Sequence, residues 1–279
     1  MKIILMGQQV FGKSVLEKFH TETDHEVVAV YCTPDKVSEP IDPVKEYAQS
    51  VSLPVFQPSN FKDQEVLDQI KSHGADLCVM AYVVIFIPEG VRDIPTHGSI
   101  CFHPSLLPLH RGPSSINWPI IRGSTKIGLS IFYPNNGLDK GEILLQKEVD
   151  IGPDDTLGDV YFKKIFPLGL EACVEAANLI NSGNAPKTPQ DDSKATYETW
   201  CKKSNARIDW KKPGNEIYNL IRGCNPQPGA WAEFKRNEYT LYDTKLIDEQ
   251  SAEHFPGQIT SINAENIRIA VKGGFIVVS

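Results

Sequence analysis

The sequence predicts an α/β protein: a Rossmann-like, mostly parallel sheet with helices on both faces, plus a small OB-like β-barrel at the carboxyl end. Three observations predict it. Through the first half, short apolar or β-branched runs alternate with helical patterns, as in a parallel sheet wound with helices. After Ala206 the pattern changes to short strands separated by turn signals, which suits a small barrel. Between them, residues 184–199 are rich in Pro, Asp, Ser and Lys and read as a linker. The expected domains are 1–195 and 203–279.

Taken in order, Lys2-Ile-Ile-Leu-Met6 is a buried apolar run. It is too short for the apolar core of a signal peptide and reads as the first strand. Residues 11–19 have helical spacing, and 26–31 are again β-branched. Residues 42–50 read as a short helix with Pro43 near its start. An amphipathic helix over 61–73, strands over 76–81 and 100–102, and a helix over 114–122 follow. Asp154, Asp155 and Thr156 can cap a long helix that runs to Asn181 and ends at Gly183. In the second part, one helix near 215–222 precedes strands over 230–234, 239–246, 258–262, 267–271 and 275–278. The sequence stops inside that last apolar run, which leaves open a truncated barrel or a fragment of a larger enzyme.

Composition narrows the function. A hydrophobic content of 41% with 23% charged residues is ordinary for a soluble globular protein, and no apolar run has the length of a membrane span. The 28 basic residues against 35 acidic ones leave a net charge of −7. Nucleic-acid binding rests on a basic face, so this balance argues against a tRNA partner. Six cysteines lie scattered without Cys-x-x-Cys spacing, which argues against a metal cluster or disulfide scaffold and suits a reducing, cytoplasmic setting. The turn Gly7-Gln-Gln-Val-Phe-Gly12 lacks the middle Gly that lets a backbone approach a pyrophosphate. It reads as a tight strand-to-helix turn, and no NAD is expected.

The most informative segment is Gly98-Ser-Ile-Cys-Phe-His-Pro-Ser-Leu-Leu-Pro-Leu-His-Arg-Gly112, followed by Gly137-Leu-Asp-Lys-Gly141. Ile100 and Phe102 end a buried strand; Pro104 and Pro108 then stop regular structure, so His103 sits where strand becomes loop. Asp139 lies in a second Gly-bounded loop just after the apolar run 128–133. In open α/β sheets, ligands bind at loops on the carboxyl ends of strands. A His and an Asp from two such loops can form an acid–base pair in which the carboxylate fixes the imidazole tautomer. On residue type alone, a His beside Pro and an Asp in a Gly turn equally suit loop building.

The words Phe102-His-Pro-Ser-Leu-Leu-Pro108 with Arg111-Gly112 and Gly137-Leu-Asp-x-Gly141 resemble the folate-dependent formyltransferase family. So do Ser115-Ile-Asn-Trp118, Leu144-Leu-Gln-Lys-Glu148, Phe166-Pro167, Ala195-Thr-Tyr197 and Pro228-Gly-Ala-Trp231. The resemblance runs from Met1 to near the end of the chain. It is closest to the amino-terminal hydrolase domain of 10-formyltetrahydrofolate dehydrogenases, with methionyl-tRNA and sugar N-formyltransferases as related branches. It implies 10-formyltetrahydrofolate as formyl donor, His103 and Asp139 as the catalytic residues, and an OB-like second domain. The acceptor is then water, a small molecule or a carrier-bound group. Further dehydrogenase segments or partners would be needed for oxidation.

By the same resemblance, Ser105, Leu106, Leu107 and Pro108 flank the folate. Ala81, Tyr82, Val83, Val84, Ile85 and Phe86 hold its pterin, and Gly137 joins the site. An apolar run leaving a strand suits a flat ring, yet 83–87 equally suit ordinary core. The family commonly carries an Asn two residues before the His; here that position is Cys101. A thiol is a weak donor, so Cys101 is a candidate oxyanion contributor or simply a buried strand residue. The loop 33–42, where methionyl-tRNA formyltransferases carry a basic insertion, is short and net acidic here.

Overall fold

The computed structural model describes residues 1–37, 39–249, 251 and 253–279; Ser38, within the acidic 33–42 loop, lies outside the described residues. The chain divides into two compact units. The first comprises Met1–Arg111, Gly128–Lys147 and Phe166–Ala195; the second comprises Gly112–Ile127, Glu148–Ile165 and Thr196–Ser279.

The alternation read from the sequence is what folds. In order come β1 (Lys2–Gly7), α1 (Gln9–Glu22), β2 (Glu26–Tyr31), α2 (Pro43–Ser50), β3 (Val55–Phe56), α3 (Gln64–Ser72), β4 (Leu77–Ala81), α4 (Glu89–Arg92) and β5 (Ser99–His103). After them come α5 (Asn117–Ile121), β6 (Lys126–Phe132), β7 (Ile143–Asp150) and α6 (Phe166–Asn181). The seven strands form one sheet in the order β3-β2-β1-β4-β5-β6-β7. β1, β2, β3, β4 and β5 pair in parallel, and β6 runs antiparallel to β5. β4 is buried along its whole length and α1 buries Phe11, Val15, Leu16 and Phe19 on one face. Those continuous and 3.6-spaced apolar patterns match a strand covered on both sides and a helix covering one.

The Gly7 to Gly12 segment is a strand-to-helix turn, and its glycine has a steric reason. A Cβ on Gly7 would lie 2.6 Å from the carbonyl oxygen of Ala81 on the neighbouring strand. Asp42 accepts from the Val44 N–H at the start of α2 and from the Gln9 N–H at 3.0 Å. One carboxylate thus holds the first turns of two helices.

Several boundaries moved for local reasons. The helix expected over 61–73 starts at Gln64, because Asn60 turns the chain by accepting from the Lys62 N–H. The helix expected over 114–122 shortens to α5, because Ser114 has a left-handed φ of 58°. The long helix expected to Asn181 opens as a π-helical stretch, Asp159–Ile165, before α6. Pro167 lacks an N–H and cannot complete the α pattern there, which widens the turn ahead of it. Thr156 and Asp159 cap that stretch reciprocally, each side chain accepting from the other's backbone N–H at 3.0–3.1 Å.

The second unit carries α5, α7 (Gly214–Gly223) and short antiparallel strands. β8 (Ala230–Phe234) and β9 (Asn237–Leu241) form a hairpin. Its two turn residues, Lys235 and Arg236, both have positive φ, as a tight hairpin requires. β10 (Thr244–Ile247), β11 (Ile259–Ile262), β12 (Ile267–Val271) and β13 (Gly274–Val278) form a four-stranded sheet in the order β10-β13-β12-β11. The strand expected over 239–246 is therefore two strands in two sheets. Ile217, Ile221, Cys224, Ala230 and Ile276 form a core here, and the Cys201 and Cys224 sulfurs lie 4.0 Å apart. Among the described residues no helix is long and apolar enough to cross a membrane, and no group of three or more His, Cys, Asp or Glu is placed to hold a metal.

Candidate active site

The site is built on the face of β5. Side chains alternate along a strand, so Cys101 and His103 project to one side and Phe102 to the other. Phe102 stacks on Phe11 with ring centroids 4.3 Å apart, which pins the strand from behind. His103, 7% exposed, is opposite Ser130 of β6.

β6 runs antiparallel to β5, so the loop that follows it leaves away from the strand's carboxyl edge. This corrects the expectation of two loops meeting at one edge. The 133–142 loop instead folds back, with Tyr133 N–H bonded to the Glu142 carbonyl at 2.9 Å. Buried Arg92 donates to Asn135 O and to Asn136 Oδ1, at 2.5 and 2.6 Å, holding the loop from α4. Asp139, at a left-handed φ of 51°, then faces His103, with Oδ2 3.7 Å from Nδ1.

The other imidazole nitrogen, Nε2, lies 2.9 Å from the His110 carbonyl oxygen and donates to it. The tautomer is therefore set by a backbone carbonyl, and the expectation that Asp139 sets it is revised. The Asp139 carboxylate stands just beyond hydrogen-bond reach of Nδ1, which is the ring nitrogen that faces it. In the neutral ring, whose proton the His110 carbonyl holds on Nε2, Nδ1 is an acceptor; with both ring nitrogens protonated, an oxygen between the two groups can meet an Nδ1–H on one side and a carboxylate on the other.

Cys101 is half-buried. Its thiol lies 3.6 Å from the Phe102 carbonyl, and burial, with the Asp139 charge adding, pushes its ionisation well above the usual thiol range. It stays protonated at neutral pH and packs against the core that holds Ile4, Met6 and Met80. Cys101→Ala is expected to change formyl turnover less than threefold. A loss beyond about tenfold, roughly 1.4 kcal/mol of barrier, in a variant that melts like the parent would assign the thiol a direct role.

The 105–108 loop is held from inside. Ser105, wholly buried, donates to Leu109 O at 2.7 Å, while its own carbonyl accepts from Ser130 Oγ. Ser130 also accepts from the Leu107 N–H and from Gln146 Nε2, which donates to Leu107 O as well. Ser105 and Leu107, expected beside a ligand, are thus inward-facing loop supports; Leu106 and Pro108 are only half-buried. Sequence reasoning assigns Ser130 and Gln146 no role, although Gln146 lies in the word 144–148 and a Ser within the apolar run 128–133 is a signal of one.

The 82–86 loop leaves β4 beside β5. Ala81 is buried and Val83 half-buried, but Tyr82, Val84, Ile85 and Phe86 are 43%, 54%, 43% and 63% exposed. Only Ile87 joins the core outright. Four large apolar side chains facing water in one loop cost hydrophobic free energy, and such patches mark places where something docks. Gly137 donates its N–H to Asn135 Oδ1 and helps shape the Asp139 turn. Arg111 is wholly buried; its guanidinium donates to Gln190 Oε1 and pairs with Asp192 at 2.7 Å.

Comparison with known proteins gives this geometry a family. The model for formyl transferase matches residues 1–175, and the one for the formyl transferase C-terminal domain matches 201–279. The chain belongs to the formyl transferase family. As a formyl transferase it is 43% identical over 252 residues to mitochondrial 10-formyltetrahydrofolate dehydrogenase of Mus musculus. That match covers 88% of this chain but only 27% of the dehydrogenase. It is 34% identical over 285 residues to methionyl-tRNA formyltransferase of Fusobacterium nucleatum, covering 100% of this chain and 91% of that protein. The fold matches that of an N-formyltransferase from Helicobacter canadensis crystallised with folinic acid and dTDP-3-aminofucose. There the TM-score is 0.71 at 17% identity, covering 100% of this chain and 98% of that one. Its family makes it an enzyme of the formyl-transferring or formyl-hydrolysing kind.

Proposed function

We propose that the chain takes the formyl group from 10-formyltetrahydrofolate and passes it to water or to a small or carrier-bound acceptor, using His103 and Asp139. The observation that carries this reading is the facing of His103 Nδ1 and Asp139 Oδ2 at 3.7 Å within the family's matched region. Residues 1–195 carry the chemistry in this reading, and 203–279 form the OB-like domain. The exposed apolar side chains of 82–86, with Leu106 and Pro108, receive the pterin.

Formyl transfer is acyl transfer. The nucleophile attacks the formyl carbon as Asp139 takes its proton, and the oxygen that becomes negative is met by the Nδ1–H of His103 in its doubly protonated form. Collapse breaks the bond to N10, which takes from Asp139 the proton removed from the nucleophile. With water as nucleophile the products are formate and tetrahydrofolate; with an amine, a formamide and tetrahydrofolate.

A transfer reaction with aminoacylated tRNA is the second reading, favoured by the Fusobacterium nucleatum relative, which this chain matches over 91% of that protein's length. Charge weighs against it: in the 33–42 loop Lys36 is paired with Glu39, and Asp35 is paired with Lys45. The test is tetrahydrofolate release from 10-formyltetrahydrofolate with and without charged initiator tRNA. Release without tRNA supports the first reading. Release only with tRNA transfers the assignment to the second, and release in neither condition removes both water and tRNA as acceptors.

A further inference from the structure

The segment 184–199, read from sequence as a linker, contains a strap across both loops of the site. Thr188 pairs with Ile143 in a two-bond antiparallel bridge, at 2.8 and 2.9 Å, which fixes the segment beside β7. Two residues on, the side chain of Gln190 enters between the loops. Its Nε2 donates to the carbonyl oxygens of Asp139 and Gly141, at 2.8 and 2.7 Å. Its Oε1 accepts from Arg111 Nε and Nη2, at 3.1 and 2.7 Å. Both N–H donors and both acceptor positions of the amide are used; among neutral side chains only the carboxamides of Gln and Asn offer two of each.

The partners are the backbone of Asp139 itself and the residue directly after His110, whose carbonyl anchors His103. Asp192 repeats the pattern one turn on: it pairs with Arg111 at 2.7 Å and with Lys140, the neighbour of Asp139, at 3.5 Å. Asp139 holds a left-handed backbone conformation that an Asp adopts only with support from its surroundings. The two carbonyl bonds from Gln190 supply that support on both sides of the turn.

We propose that Gln190 is a positioning residue of the reaction: its amide ties the backbone of Asp139 to Arg111 beside the His103 anchor, and so sets the distance between the Asp139 carboxylate and His103 Nδ1. The proposal rests on the assignment of His103 and Asp139 as the working pair. Gln190→Glu tests it most sharply. The variant keeps the length and the Arg111 contact, but sets a carboxylate oxygen against the carbonyls of Asp139 and Gly141. Gln190→Ala removes the tie without that repulsion and serves where the first variant folds poorly.

The measurements are kcat and KM for 10-formyltetrahydrofolate, thermal melting, and the ring 15N resonances of His103, assigned by their loss in His103→Gln. The expected result is a fall in kcat of about 10- to 100-fold, as a misplacement near 1 Å produces, with KM within threefold. The His103 resonances should move in the direction seen in Asp139→Asn. A merely structural role would lower the melting temperature and leave the resonances and the kcat of the folded enzyme in place. A kcat within threefold of the parent in either folded variant overturns the proposal, and so do unmoved His103 resonances, which read the contact even if the parent shows no turnover. If Asp139→Asn keeps its turnover, the working-pair assignment and the proposal fall together. If it loses turnover while both Gln190 variants keep theirs, only the role of Gln190 falls.

Discussion

Replacing His103 with Ala, or Asp139 with Asn, is expected to cut tetrahydrofolate release by on the order of 100- to 1,000-fold in proteins that remain folded. The size follows from what each group supplies. In the proposed reaction the doubly protonated His103 presents its Nδ1–H to the developing oxyanion, Nε2 being committed to the His110 carbonyl. A preorganised donor of that kind acts where charge appears and needs no rearrangement as the reaction proceeds. Asp139→Asn preserves shape and removes the base. The fold should tolerate both changes. His103→Ala gives up the bond to His110 O, worth about 1 kcal/mol net, and the Asp139 loop keeps its backbone bonds to Gln190. Release assays on variants checked by circular dichroism and thermal melting decide the matter. Turnover within tenfold of the parent in a folded variant would remove that residue from the mechanism.

Gly141→Ala is expected to have the second large effect, on both stability and turnover. A Cβ at this position would stand 1.5 Å from the carbonyl oxygen of Tyr133, where no rotamer change can relieve the overlap because both clashing groups are backbone. The 133–142 loop must move, and Asp139 and Gly141 O, two residues apart, move with it. Overpacking of a tight interior costs roughly 1–3 kcal/mol, and this position belongs at the upper end. Gly90 is the control, since a Cβ there meets nothing within 4 Å. The melting temperature and formyl release of the two variants are compared: Gly90→Ala should match the parent in both. A Gly141→Ala protein that also matched it would show that the loop is not held as described.

Much of the fold was legible because its causes are local. β2 and β12 fall on the residues read as strands, and α1 and α2 form where apolar spacing and Pro43 placed them. Strand and helix periods are properties of the backbone, so the sequence displays them directly. His103 and Asp139 were legible as candidates because Pro and Gly bracket them and mark the ends of apolar runs.

Their partners were not legible, because they depend on separations the chain does not encode locally. That β6 turns antiparallel is decided by its pairing with β5, and this sends the Asp139 loop back over the strand face. The imidazole is anchored by the carbonyl of His110, and a carbonyl leaves no mark in a side-chain pattern. Gln190 sits in a stretch whose composition signals only a polar loop, yet it bonds Arg111, 79 residues away, and the carbonyl of Asp139, 51 residues away. The sequence by itself determined the fold class, most of the elements and the family, and it named His103 and Asp139 as candidates. Only the tertiary structure decided which imidazole nitrogen faces Asp139 and what holds the carboxylate opposite it, because those follow from hydrogen bonds to backbone atoms that every residue type shares.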